Sequence, residues 1–100
     1  MTSTRKNKRY RITIEALDSD REGGQTMEFE HTDREDMFNV VEKLKEGSGL
    51  DASVATKMGV ALRLIGPTMM EHHKHPLFAD FMPHFKAFML NLKSTVKGNQ

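Results

Sequence analysis

Two short alternating runs separated by a wholly polar linker set the terms on which this chain can fold. Residues 9–17 place Tyr10, Ile12, Ile14 and Ala16 on one side and Arg9, Arg11, Thr13 and Glu15 on the other. Residues 26–31 repeat the pattern, with Met27, Phe29 and His31 opposite Glu28 and Glu30. A period of two with β-branched and aromatic residues is the mark of a half-buried strand. Residues 18–25 hold turn-formers and no apolar side chain, and Gly23-Gly24 suits a reversal. The pair therefore reads as an antiparallel hairpin. On its outer face Arg11 and Thr13 meet Glu28 and Glu30, each opposite-charge pair worth about 0.2–1 kcal/mol.

The pattern then changes to a helical period. Thr32-Asp33-Arg34-Glu35 fits a capping box, with Thr32 accepting from the backbone and Glu35 reaching back. Met37, Phe38, Val40, Val41 and Leu44 follow on one side of a helix expected over residues 33–46, with Gly47 and Gly49 as the stop. A second helix starts near Ala52, capped by Asp51 or Ser53, with Val54, Met58, Ala61, Leu62, Ile65 and Met69 as its apolar positions. Residues 58–65 also alternate as a strand would, but the length of the segment favours helix. Gly66-Pro67 is expected to kink or break it, because proline lacks an N–H and restricts its predecessor. His75-Pro76 and Met82-Pro83 each put a proline where a helix can begin, predicting a short helix at 76–81 and a longer one at 83–94. Phe78, Phe81, Phe85, Phe88 and Leu92 form its apolar stripe, and the polar tail after it is expected to fray.

A lone two-stranded sheet is marginal and needs cover on its apolar face. The expected fold is α+β in β-β-α-α-α order, an antiparallel β-hairpin with one face packed by three to four helices. The expected organisation is a flexible basic tail over 1–8, one domain over 9–95 and a frayed end over 96–100. With 100 residues, a single core is what the length allows. The two open strand edges of such a hairpin suggest pairing across a two-fold axis, hence a homodimer.

Charge and composition narrow the function. Arg5, Lys6, Lys8, Arg9 and Arg11 make the N-terminus basic, but residues 12–51 carry a net charge of −8 that opposes a polyanion, so a nucleic-acid partner is disfavoured. Zero cysteines exclude disulfides, thiolate metal sites and a cysteine nucleophile. No apolar run nears the ~20 residues of a membrane span, and no signal-peptide pattern opens the chain, which points to the cytoplasm. Phosphate loops, nucleophile elbows and His-Glu-x-x-His motifs are absent, so no catalytic residues or cofactor are expected and the chain reads as a non-enzyme.

Two clusters stand out nonetheless. His72, His75 and His84 are candidate metal ligands, since imidazoles three apart share a face of a continuous helix. Against this, Pro76 ends the helix at His75, and histidines at a helix C-terminus are ordinarily solvated. A ring nitrogen of His75 is also placed to cap the helix that follows, and His31 reads as a half-buried strand-end residue. Met82, Met89 and Leu90 lie off the phenylalanine stripe and are candidates for an apolar contact surface. The leading reading is a non-enzymatic protein acting by protein–protein contact. A metal-binding protein and a nucleic-acid accessory protein are the alternatives.

Tyr10-Arg11-Ile12-Thr13, Met37-Phe38 with Val41, the run Gly59 to Gly66, and Lys74-His75-Pro76-Leu77-Phe78 followed by Phe85 and Phe88 resemble a family of small bacterial proteins classed as a domain of unknown function. The resemblance spans roughly residues 9–93 and departs from the family pattern at Pro67, where an acid is expected. It implies an α+β fold in a bacterial cytosol and carries no activity, substrate or catalytic residue.

Overall fold

A computed structural model describes residues 7–18 and 24–98. The elements run β1 (Lys8–Glu15), β2 (Thr26–Asp33), α1 (Met37–Gly47), α2 (Ala52–Glu71), α3 (Pro76–Ala79) and α4 (Met82–Gly98). The chain divides into two compact units, residues 1–34 and 35–100. The expected order of a hairpin followed by helices is the order observed.

In the first unit β1 and β2 pair antiparallel, with Tyr10 opposite His31, Ile12 opposite Phe29 and Ile14 opposite Met27. The apolar members of both strands thus share one face, as alternation requires. On the other face Arg9 reaches Glu30 at 3.0 Å, Arg11 lies 3.9 Å from both Glu28 and Glu30, and the Thr13 hydroxyl donates to Glu28 at 3.2 Å. These pairs are solvent-exposed, so each is worth well under about 1 kcal/mol and serves register more than stability. The ladder continues past β1, where Ala16 N–H donates to the Gln25 carbonyl at 2.9 Å. The turn at Gly23 lies outside the described residues.

The strand also runs further than expected at its far end. Thr32 pairs with Arg9 and Asp33 with Lys8, so the chain is still extended where the capping box was expected. The helix begins instead at Met37, and Asp36 caps it, its Oδ1 accepting from Phe38 N–H at 3.0 Å and Asn39 N–H at 3.2 Å. Thr32 is not the cap because the ladder holds its backbone in the β region.

In the second unit Met37, Val41 and Leu44 form the buried stripe of α1, while Phe38 points to solvent. The stop comes at Ser48, whose N–H donates to the Leu44 carbonyl, followed by Gly49 at φ +84°. That left-handed conformation suits glycine. Asp51 stands at the N-cap of α2 but makes no side-chain cap hydrogen bond.

Helix α2 runs unbroken from Ala52 through Pro67 to Glu71, correcting the expected break and removing the strand alternative for 58–65. Its buried residues are Ala55, Gly59, Gly66 and Met69. Met69 is buried as expected and Leu62 is half-buried, but Val54, Ala61 and Ile65 are exposed, so the packed face is turned by somewhat less than one residue, under ~100°, from the expected one. Small residues decide it: a Cβ on Gly59 would stand 2.9 Å from Val41 Cγ2 and 3.2 Å from Leu44 Cδ1. Close helix approach there outweighs the larger side chains, and Met69 at the far end is fully buried, worth about 1.5–3 kcal/mol.

The short third helix ends at Ala79, earlier than expected. Helix α4 starts at Met82 and runs to Gly98, four residues past the expected end at 94. Its inner positions are Met82, Phe85, Met89, Leu92 and Val96, whereas Phe81 and Phe88 are exposed. Phe85 lies in ordinary contact range of Gly66, and Val96 packs directly on Gly47. Thus glycines on α1 and α2 admit the bulkier side chains of α4.

Candidate functional site

The histidines were placed by the end of α2 and the start of α3. Helix α2 closes at His72, whose N–H donates to the Thr68 and Met69 carbonyls, and a tight turn follows in which His75 N–H donates to the His72 carbonyl at 2.9 Å. His72 and His75 therefore do not share a helix face. His75 instead caps α3: its Nδ1 accepts from Leu77 N–H at 3.1 Å, and its ring lies 5.9 Å from that of Phe78. A neutral imidazole that accepts at Nδ1 carries its proton at Nε2, leaving no lone pair there for a metal. His73 Nδ1 lies 2.9 Å from the Met70 carbonyl and donates to it. His72 Nε2 stands 3.9 Å from Glu71 on the exposed surface, and His84 is exposed on the first turn of α4. Among the described residues no group of three or more His, Cys, Asp or Glu side chains is gathered around a point where a metal ion could sit. The fold does not assemble His72, His75 and His84 into a ligand set.

Met82, Met89 and Leu90 also part company. Met82 is buried in the helical core and so is removed from any contact surface. Met89 is half-buried and lines a groove between helices, and only Leu90 is openly exposed, at 69%. The cause is the rotated inner face of α4, which takes Met82 inward and leaves Phe81 outside.

The basic N-terminus is partly engaged. Arg9 and Arg11 face Glu30 and Glu28 within the hairpin, and Arg5 and Lys6 lie outside the described residues. His31 is half-buried at the strand end as expected, its Nε2 3.7 Å from the buried Asp33 carboxylate.

The hairpin carries the surface that sequence reading underrated. Ile14, Met27 and Phe29 stand together on one apolar face formed by cross-strand pairing, which two strands cannot cover by themselves. Alternation announced the face, but no local signal reports how far it is covered. No helix among the described residues is long and apolar enough to cross a membrane.

An antiparallel hairpin followed by four helices, with no metal-binding group among the described residues, defines a small α+β protein. Residues 8–94 match the family described as a domain of unknown function with solved structure, DUF3861, and the chain belongs to it. The fold is similar to that of a protein of unknown function from Pectobacterium atrosepticum SCRI1043, known from a crystal structure at 2.20 Å, with a TM-score of 0.78 and 35% identity over 89% of this chain and 99% of that one. No curated protein matches.

Proposed function

We propose that this chain is a non-enzymatic cytoplasmic protein that acts through protein–protein contacts, assembled as a homodimer through its hairpin. The observation that carries the reading is the apolar face of Ile14, Met27 and Phe29 on a sheet of only two described strands. Contiguous exposed apolar surface marks an interaction site. Each described strand has one side unpaired within the sheet, and an edge of that kind pairs with another chain unless it is covered. A second copy supplies that partner, because antiparallel edge pairing across a two-fold axis builds a four-stranded sheet whose two apolar faces lie side by side as one larger contact surface. The cytoplasmic setting accords with the family resemblance and with the cysteine-free composition.

Native mass spectrometry and light scattering on untagged protein test this across micromolar concentrations. The expected mass is twice the 11.4 kDa of the chain. A single-chain mass throughout that range overturns the reading.

A further inference from the structure

A groove of about 520 Å³ opens within the helical unit, between α1, α2 and α4. Its floor is apolar, built from Val40, Leu44, Leu62, Leu92 and Val96. Its rim is basic: Lys43, Arg63, Lys93 and Lys97 stand against the single acid Glu35. Lys43, Lys93 and Lys97 make no ion pair with any described residue. Lys93 and Lys97 are also one turn apart on α4, where like charges repel. The groove thus sets half-buried apolar side chains beside three lysines, and both are relieved by one kind of occupant.

We propose that this groove binds a single-chain anionic amphiphile, a fatty carboxylate, with its chain along the floor and its carboxylate among the rim lysines. The volume falls in the range of about 300–1,000 Å³ typical of small-molecule sites. Lys43 of α1 and Lys93 and Lys97 of α4 line the same groove as the apolar side chains. That arrangement suits one compact head group, whereas a docked acidic helix asks for cations spaced along a line.

Titration calorimetry of the full, untagged chain with dodecanoate below its micelle concentration tests the proposal, with amide NMR shifts to locate the site. The expected result is one saturable site per chain, shifts centred on Leu44, Leu62 and Leu92, and methyl dodecanoate weaker by at least about tenfold. Replacing Lys93→Glu and Lys97→Glu together weakens dodecanoate by at least about tenfold, while Lys93→Arg with Lys97→Arg retains it. Absence of saturation, equal affinity for the uncharged ester, or charge-reversed protein that folds and binds as well as the parent overturns it. So does an acidic amphipathic peptide that shifts these residues where dodecanoate does not. The groove lies wholly in the helical unit, so a single-chain mass that binds dodecanoate refutes the dimer and keeps this inference.

Discussion

Val96 of α4 lies so close to Gly47 at the end of α1 that a Cβ on Gly47 would stand 2.9 Å from both Val96 Cγ1 and the Val96 carbonyl oxygen. A backbone oxygen has no rotamer by which to retreat, so Gly47→Ala must push the helices apart. The expected cost is about 1–3 kcal/mol, read as a fall in the urea midpoint. Gly66→Ala is the internal control, because its Cβ would meet the Phe85 ring in ordinary contact, at 3.7 Å from Cζ and 3.9 Å from Cε2. There the helix propensity of alanine is gained without a clash, and a rise of about 0.5–1 kcal/mol is expected. Equal effects from the two substitutions would show that close helix approach does not control α1–α4 packing.

Pro67 sits inside α2 without ending it. It cannot donate to the preceding turn, and the helix survives on the burial of Gly66 and Met69 around it. Pro67→Ala restores a donor, against which stands the greater freedom of the unfolded chain. A net gain of ~2 kcal/mol is expected from thermal or urea unfolding. Loss of stability would mean that the ring itself packs productively.

The caps make separable predictions. Asp36→Ala removes the acceptor for two N–H groups of α1 and is expected to cost about 1 kcal/mol, whereas Thr32→Ala stays within ~0.5 kcal/mol. If the Thr32 change proved the more damaging, the start of α1 would have to be moved upstream. His75→Ala releases Leu77 N–H, which should exchange faster with solvent, while His75→Asn preserves its protection.

A lysine on the joined apolar sheet face should separate the two copies. Ile14→Lys and Met27→Lys, made singly, each bring one like charge from each copy to that face without setting two lysines opposite each other inside one hairpin. The expected outcome is a mass falling from two chains to one with unchanged helical circular dichroism. A dimer that persists would move the seam away from the hairpin.

Element order was legible from periodicity, and the hairpin most fully, because a period of two admits few alternatives and the register follows from it. His75 as a cap was legible too, since a side-chain acceptor before proline has few other uses. The face of α1 was legible in Met37, Val41 and Leu44, but that of α2 was not. Val54, Met58 and Ile65 outweigh Gly59 and Gly66 in any hydrophobicity count, yet the glycines set the face because they let a neighbouring backbone approach. The rim of the groove was hidden for another reason: Lys43, Arg63 and Lys93 are separated along the chain and meet only when three helices assemble. Pro67 misled because a local rule about helix breaking lost to packing on either side of it.

The positions of the two close glycine contacts imply an order of assembly. Gly59 meets Val41 across a separation of 18 residues, while Gly47 meets Val96 across 49. Closing the longer loop costs about 0.9 kcal/mol more in chain entropy. The α1–α2 pair therefore forms a nucleus on which the Val96 end of α4 closes late, so that end should fray first under mild denaturant. Mutational φ-values near Val41 and Gly59 are expected to exceed those near Val96, and the reverse ranking would put the nucleus at the chain's far contact.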